Sequence, residues 1–140
     1  MGYYSTMEGP LMFRTHCTKP QEIDRIFQET FQGNPVFLEK VEDLGYEMVH
    51  KEENGVYTIY IESDSYTQKH LFDEALAVLV SKLIARDHRT YLIFTGEDNL
   101  KWGYAIAADE VHDIEFIYLV NGERLEDWLA GEPSLPPSNL

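Results

Sequence analysis

The pair Asn54-Gly55 limits the folds open to this chain more than any other feature of its sequence. A type I′ turn requires a positive φ at both central residues, and Asn-Gly adopts this turn most readily. Residues 46–51 and 56–62 are therefore predicted to be the two strands of an antiparallel hairpin. Because residues 56–62 carry apolar or aromatic side chains on both faces, the second strand should lie inside a sheet.

The sequence before this hairpin predicts an amphipathic helix. Thr18 is a candidate N-cap, Gln21 completes a capping-box pattern, and Pro20 is tolerated in a first turn. Apolar residues then recur at intervals of three and four until a Gly-Asn-Pro sequence at residues 33–35 ends the helix. A short second helix is expected at residues 36–44.

The sequence after the hairpin predicts a longer helix over residues 69–86. Its apolar residues follow the 3.6-residue period, and the residues between them are good helix formers. Ser65 or Thr67 is expected to cap its beginning.

Four further strands are predicted from apolar runs bounded by turn residues. They cover residues 3–13 with a bend at Gly9-Pro10, then 90–95, 102–108 and 111–120, with Asp109-Glu110 as the tight turn between the last two. The order of elements is that of a split βαβ arrangement. The sequence thus predicts an α+β fold: one mixed or antiparallel sheet of about six strands, two helices on one face, and a C-terminal hairpin extending the sheet.

The length of 140 residues fits a single domain with one ordinary core. Residues 1–122 are expected to form this domain. Residues 123–140 contain a possible helical turn and then a Pro-rich stretch, which predicts an extended or disordered tail.

The chain is strongly acidic, with a net charge of −14 from 25 acidic and 11 basic residues. Residues 97–140 hold 10 of these acids and only 2 of the bases. Direct binding to nucleic acid is disfavoured, because affinity for phosphates comes from clustered Lys and Arg. A basic protein partner is favoured, although an acidic surface can also simply keep a protein soluble.

A cytoplasmic location is expected from the remaining composition. The single cysteine, Cys17, cannot form an internal disulfide. The first residues do not have the basic and then apolar pattern of a secretory signal. The longest apolar run, residues 75–80, is far shorter than the roughly 18 residues that a membrane span needs.

No catalytic, metal or cofactor site is predicted. The five histidines are scattered, and His16 and Cys17, being neighbours on a strand, should point to opposite faces. Cys17 lies at a helix start but would need a histidine base in space to act as a nucleophile. Glycine-rich phosphate-binding motifs are absent, and the paired acids are expected to be solvated loop residues. The chain is therefore expected not to be an enzyme.

Aromatic residues among the acids of the last third are the candidate partner contacts, since Trp and Tyr provide rigid contact area at interfaces. The alternative for each Trp is a place in or over the core. The predicted contact residues are Glu97, Asp98, Trp102, Asp109, Glu110 and Trp128.

Two segments carry a resemblance to known proteins. The opening Gly2-Tyr3-Tyr4-Ser5 and the late segment from Gly96 to Trp102 resemble a loose group of small bacteriophage and host proteins that share a G-Y-Y start and a G-E-[DE]…W segment. Leu100-Lys101 departs from this pattern, in which an acid often precedes the Trp. In size and acidity, the chain also resembles a small transcription factor that binds host RNA polymerase and is found in phages of thermophilic bacteria.

This resemblance implies a non-enzymatic host-takeover protein that binds RNA polymerase or its σ subunit and inhibits or redirects transcription. Two alternatives remain open at the level of sequence. One is an acidic nucleic-acid mimic that inhibits a defence nuclease, and the other is a small-molecule binder or small enzyme, which would need a concave pocket.

Overall fold

A computed structural model describes residues 4–32, 46–63, 68–69 and 73–131 of the chain. The helices and strands are, in chain order, β1 (Tyr4–Met7), β2 (Leu11–Arg14), α1 (Pro20–Phe31), β3 (Tyr46–Glu53), β4 (Val56–Ser63), β5 (Gln68–Lys69), α2 (Asp73–Leu83), β6 (Thr90–Gly96), β7 (Lys101–Ala107), β8 (Glu110–Asp113), β9 (Leu119–Val120), β10 (Glu123–Arg124) and α3 (Leu125–Ala130). Every pairing among these strands is antiparallel. The predicted α+β class is confirmed.

The predicted hairpin is present and joins β3 to β4. Asn54 and Gly55 have φ values of 52° and 80°, as a type I′ turn requires. β4 lies between β2 and β3, and its residues Ile59 and Ile61 are fully buried. The interior position that the sequence predicted for this strand is therefore confirmed.

The strand predicted over residues 3–13 is divided into β1 and β2, which belong to different sheets. β1 lies in a five-stranded sheet of order β5-β1-β6-β7-β8, whereas β2 lies in a three-stranded sheet of order β2-β4-β3. Gly9, with a φ of 67°, turns the chain between them. In place of the predicted single sheet of about six strands, the described residues form two larger sheets joined at this bend and a separate two-stranded sheet of β9 and β10.

The core lies between these elements and is centred on α2. Its residues Leu76, Leu79, Val80 and Leu83 are completely buried. A helix that is apolar on most of its circumference belongs inside a core. α2 contacts α1, β7 and β8, and one face of α1 is buried as well.

The ends of both long helices differ from the prediction. Lys19 is the N-cap of α1 without a side-chain capping bond, and the Thr18 hydroxyl instead donates to Glu22 Oε1 at 2.9 Å. Helix α2 does not include the predicted first residue, Lys69, which lies in a strand that pairs with β1. It ends at Leu83 rather than Arg86, and Ile84 forms a β-bridge with Thr15. The predicted caps Ser65 and Thr67, and the predicted helix at 36–44, lie outside the described residues.

The strand predicted over residues 111–120 ends early. β8 stops at Asp113, and a separate small hairpin follows, formed by β9 and β10. Its turn is a second Asn-Gly pair, Asn121 and Gly122, with φ values of 52° and 85°. Before β8, Asp109 has a φ of 59° and lies in the turn, while Glu110 already belongs to the strand.

The helix α3 follows this hairpin, where a helical turn was predicted, and it buries none of its residues. Among the described residues, no helix is long and apolar enough to cross a membrane.

Candidate functional site

The first pair of predicted contact residues, Glu97 and Asp98, lies in the turn between β6 and β7. Both side chains are exposed. The backbone N–H of Leu100 donates to Asp98 Oδ1 at 3.2 Å, and Asn99 has a φ of 65°. Local turn chemistry therefore fixes the backbone that presents these two acids to solvent.

The second pair, Asp109 and Glu110, lies beyond the other end of β7. Lys82 Nζ donates to Asp109 Oδ1 at 2.9 Å, and Arg86 lies 3.9 Å from the same carboxylate. The hydrogen bond from Lys82 is the main cause of a lowered pKa of Asp109. Because Asp109 already pairs with α2, its first role is to hold the β7–β8 turn against that helix.

The six predicted residues do not form one surface. The seven residues of β7 separate the two acidic pairs, which corresponds to about 20 Å at the usual rise of a strand. Trp102 is half-buried and stacks on Phe94 with ring centroids 6.2 Å apart. Trp102 thus packs over the core, whereas Trp128 is 50% exposed on α3.

A group of exposed apolar side chains surrounds Trp128 in the sequence. Of the 11 large apolar side chains that are exposed among the described residues, 6 lie between residues 116 and 129. We call this group the C-terminal aromatic surface; it comprises Phe116, Ile117, Tyr118, Leu119, Trp128 and Leu129. Tyr118 is 80% exposed. The six residues are close in sequence, and the contacts of α3 with β9 and β10 bring the two parts of the group near each other. Exposed apolar groups that occur together are typical of interaction sites, whereas isolated ones are ordinary.

Local hydrogen bonds hold this segment together. The N–H of Leu125 donates to the carbonyl of Tyr118 at 2.8 Å, which fastens the start of α3 to the residues before β9. The β9–β10 ladder and contacts of α3 with both strands complete the unit. The segment therefore has a defined backbone although it buries few side chains.

The C-terminal aromatic surface is set among acids. Five exposed acidic residues lie within residues 113–127, and the one base there, Arg124, is paired with Glu126 at 3.3 Å. These acids are Asp113, Glu115, Glu123, Glu126 and Asp127. The sequence analysis identified only Trp128 of this surface, since residues 111–120 were interpreted as one strand. The Asn-Gly pair at 121–122 was the signal that could have revealed it.

A second cluster lies where β2 leads into α1. Cys17 Sγ is 3.9 Å from His16 Nδ1, and the Glu22 carboxylate is close to both. The prediction that neighbouring His16 and Cys17 point to opposite faces is wrong, because β2 ends at Arg14 and strand alternation no longer applies.

Nucleophilic chemistry is not favoured at Cys17 even with a histidine beside it. The residue has no exposed surface, so the folded chain leaves no room beside the sulfur for the carbon skeleton of a substrate. Burial also raises the pKa of the Cys17 thiol, which keeps it protonated and unreactive near neutral pH.

A cavity of about 320 Å³ lies near this cluster and includes His16, Lys82 and Asp109 in its lining. Most of the lining is polar, whereas ligand pockets are mostly apolar, and the two cations in it, Lys82 and Arg86, both pair with the Asp109 carboxylate. The geometry therefore gives the small-molecule alternative little support.

Comparison of the chain with protein-family models, curated proteins and solved structures finds no match in any of the three.

Proposed function

We propose that this protein is a non-catalytic binding protein whose C-terminal aromatic surface docks onto a basic surface of another protein. The observation that carries the proposal is the concentration of exposed apolar side chains between residues 116 and 129. Protein interfaces combine aromatic anchors at their centre with a polar rim. The acids around this surface provide that rim.

Burial of these side chains supplies the affinity in the proposal. Complete burial of one large apolar side chain contributes about 1.5–3 kcal/mol. Several half-exposed side chains can together offset the loss of translational and rotational freedom on association, which costs at least about 4 kcal/mol. Trp128 and Tyr118 are the expected anchors, because Trp and Tyr dominate measured interface energies.

Charge determines the class of partner in the proposal. A second copy of the chain is disfavoured, since each copy has a net charge of −14 and the surface itself is acidic. A basic partner gains from complementary fields during encounter. Glu97 and Asp98, in the turn between β6 and β7, would contribute to the electrostatic attraction of the partner rather than form buried contacts with it.

RNA polymerase or its σ subunit in the bacterial cytoplasm is the partner suggested by the phage-like resemblance. Proteins that handle nucleic acid present basic surfaces to its phosphates, and such surfaces complement the acids of residues 113–127. The mechanism in this proposal is occupation or displacement of a polymerase surface, with inhibited or redirected transcription as its result.

The nucleic-acid mimic receives less support from the positions of the acids. Exposed acidic residues are found on α1, on β3, in the turns at both ends of β7 and on α3. Mimicry requires carboxylates spaced along one face like phosphates, and this distribution does not favour it.

The proposal is tested with purified bacterial core polymerase, holoenzyme and free σ subunit against the immobilised full chain at low and moderate salt. The variant Y118A/W128A should weaken binding at least about 30-fold, the effect of losing one strong anchor of 2 kcal/mol. Folding should survive, since both side chains lie outside the core.

Tyr91 provides the matched control, because it is 62% exposed on β6 and lies outside the C-terminal aromatic surface. The variant Y91A should bind like the unchanged protein.

The charge-reversal variant E126K/D127K should slow association and reduce the dependence of association on salt. Absence of binding to all three polymerase preparations would refute the polymerase proposal. Equal binding by Y118A/W128A would refute the role of this surface.

A further inference from the structure

The junction between β2 and α1 brings three potential metal ligands together. His16 Nδ1, Cys17 Sγ and a Glu22 carboxylate oxygen all lie within 4.8 Å of one another. In tetrahedral zinc sites, bonds of about 2.1 Å to nitrogen and about 2.3 Å to sulfur place these two atoms about 3.5 Å apart. The observed distance of 3.9 Å between Nδ1 and Sγ is close to that value.

His16 presents the nitrogen atom that a metal requires. Its Nε2 lies 2.8 Å from the carbonyl oxygen of Lys82. Because a carbonyl only accepts hydrogen bonds, Nε2 carries a proton, and in this tautomer Nδ1 has the lone pair that a metal would use. Nδ1 is the atom that faces Cys17. A backbone carbonyl bound to the far nitrogen is a common partner of metal-binding histidines.

The other two ligands are also oriented by hydrogen bonds. The Thr18 hydroxyl donates to Glu22 Oε1 at 2.9 Å. The backbone of Cys17 is fixed on both sides, since its N–H donates to Thr15 Oγ1 at 3.1 Å and its carbonyl accepts from His50 Nε2 at 2.9 Å. The His16 and Glu22 side chains thus have the kind of partner that orients ligands in known metal sites, and the backbone that carries Cys17 is held in place.

We propose that His16, Cys17 and Glu22 form a binding site for a zinc-type divalent metal ion. One imidazole nitrogen, one carboxylate and the sulfur of Cys17, which releases its proton to solvent when the ion binds, form a ligand set that suits Zn²⁺ and, as a spectroscopic substitute, Co²⁺. Mg²⁺ and Ca²⁺ are disfavoured, because they select oxygen ligands. Three protein ligands leave a fourth tetrahedral position for water or for a group from a partner.

The bound ion would join the residues after β2 to the first turn of α1, next to an existing hydrogen bond to α2. Cys17 and His16 follow β2, Glu22 lies in the first turn of α1, and His16 is hydrogen-bonded to Lys82 near the end of α2. An ion that binds only the folded state stabilises it, and this stabilisation grows with the logarithm of the ratio of the free ion concentration to Kd. The bound ion would therefore stabilise the junction between β2 and α1, independently of the proposed partner surface.

The test uses the full chain, freed of metal by a chelator and kept reduced, and titrated with Co²⁺. One equivalent should produce a thiolate-to-cobalt charge-transfer band and the strong visible bands of tetrahedral Co²⁺, and Zn²⁺ should displace it. Zn²⁺ should also raise the Tm. C17A should abolish the charge-transfer band.

Glu22→Gln is the decisive variant, because this half-buried side chain lies outside the core and its replacement should leave folding intact. E22Q and H16Q should each weaken Co²⁺ binding about tenfold or more. His112 is the matched control, since it lies 3.8 Å from Glu110 without a cysteine nearby; H112Q should bind Co²⁺ normally. A missing charge-transfer band would overturn the proposal. So would unchanged affinity in E22Q and H16Q, or an equal loss in H112Q.

Discussion

Gly103 in β7 lies where the neighbouring strand leaves no room for a side chain. A Cβ atom built there would be 2.4 Å from the carbonyl oxygen of Leu92 and 3.3 Å from Ile114 Cδ1. Contact with backbone cannot be relieved by rotating a side chain, so β6 and β7 would have to separate. Overpacking of this kind typically costs about 1–3 kcal/mol.

We therefore expect Gly103→Ala to lower the free energy of unfolding by about 1–3 kcal/mol in a urea titration. Gly131→Ala is the control, because among the described residues its Cβ would meet no atom closer than 3.6 Å. This control should change stability by less than about 0.5 kcal/mol. Equal stability of the two variants would show that β6 and β7 adjust to the extra carbon without cost.

Single residues were predictable from sequence where the local backbone decides their conformation. Asn54 and Gly55 form the expected turn because the requirement for positive φ is local. Thr18 was the expected N-cap, but its hydroxyl is used by Glu22. The approach of His16 to Cys17 depends on where β2 ends, which is set by pairing with a distant strand. Sequence patterns do not contain that information.

The two Asn-Gly hairpins have nearly the same turn but different surroundings. The β3–β4 hairpin places Ile59 and Ile61 in the core. The β9–β10 hairpin and α3 bury none of their residues. Loss of the first turn should therefore affect the whole fold, whereas loss of the second should affect only its own segment.

Gly55→Ala and Gly122→Ala test this difference directly. Their φ values are 80° and 85°, so each substitution forces an alanine into the left-handed region at about 1–2 kcal/mol. Gly55→Ala should lower the Tm. Gly122→Ala should leave the Tm nearly unchanged and instead increase hydrogen exchange of amides between residues 119 and 131. An equal fall of the Tm in both variants would show that the C-terminal hairpin unfolds together with the core.

At the scale of elements, strands with strong local signals were predicted well. β6 and β7 lie within one residue of their predicted limits. The assignment of β1 and β2 to two sheets was not predicted, because local sequence marks a bend without specifying the new partner strand. The surface around Trp128 was largely missed, since a run of apolar residues without burial is indistinguishable from a strand in its pattern.

The whole molecule carries more acids than its bases can pair. Within the described residues, the Lys and Arg side chains in ion pairs are Arg14, Arg25, Lys82, Arg86, Lys101 and Arg124. With 25 acids and 11 bases in the chain, at least 14 acids have no base of their own. Self-repulsion of this charge weakens the compact state, and salt screens it.

Raising NaCl from about 10 mM to about 150 mM shortens the Debye length from roughly 30 Å to 8 Å, and we therefore expect the Tm to rise. Glu47 and Glu62 provide a sensitive comparison, because they face each other directly across β3 and β4. Like charges in this position are destabilising. Glu47→Lys should start from a higher Tm at low salt and gain less from added NaCl. A Tm that falls with salt would show that the ion pairs outweigh the repulsion.

The position of β1 has a consequence for how the chain is made. β1 is translated before all other described elements, yet its neighbours in the sheet are β5 and β6. One edge of β1 can pair once residues 68–69 have left the ribosome, but the other edge stays open until residues 90–96 follow. The β2-β4-β3 sheet can form earlier, since all its strands end by residue 63. A nascent chain would thus expose an unpaired strand edge during most of its synthesis. Such an edge can pair with other chains and aggregate, which is the outcome that chaperones prevent.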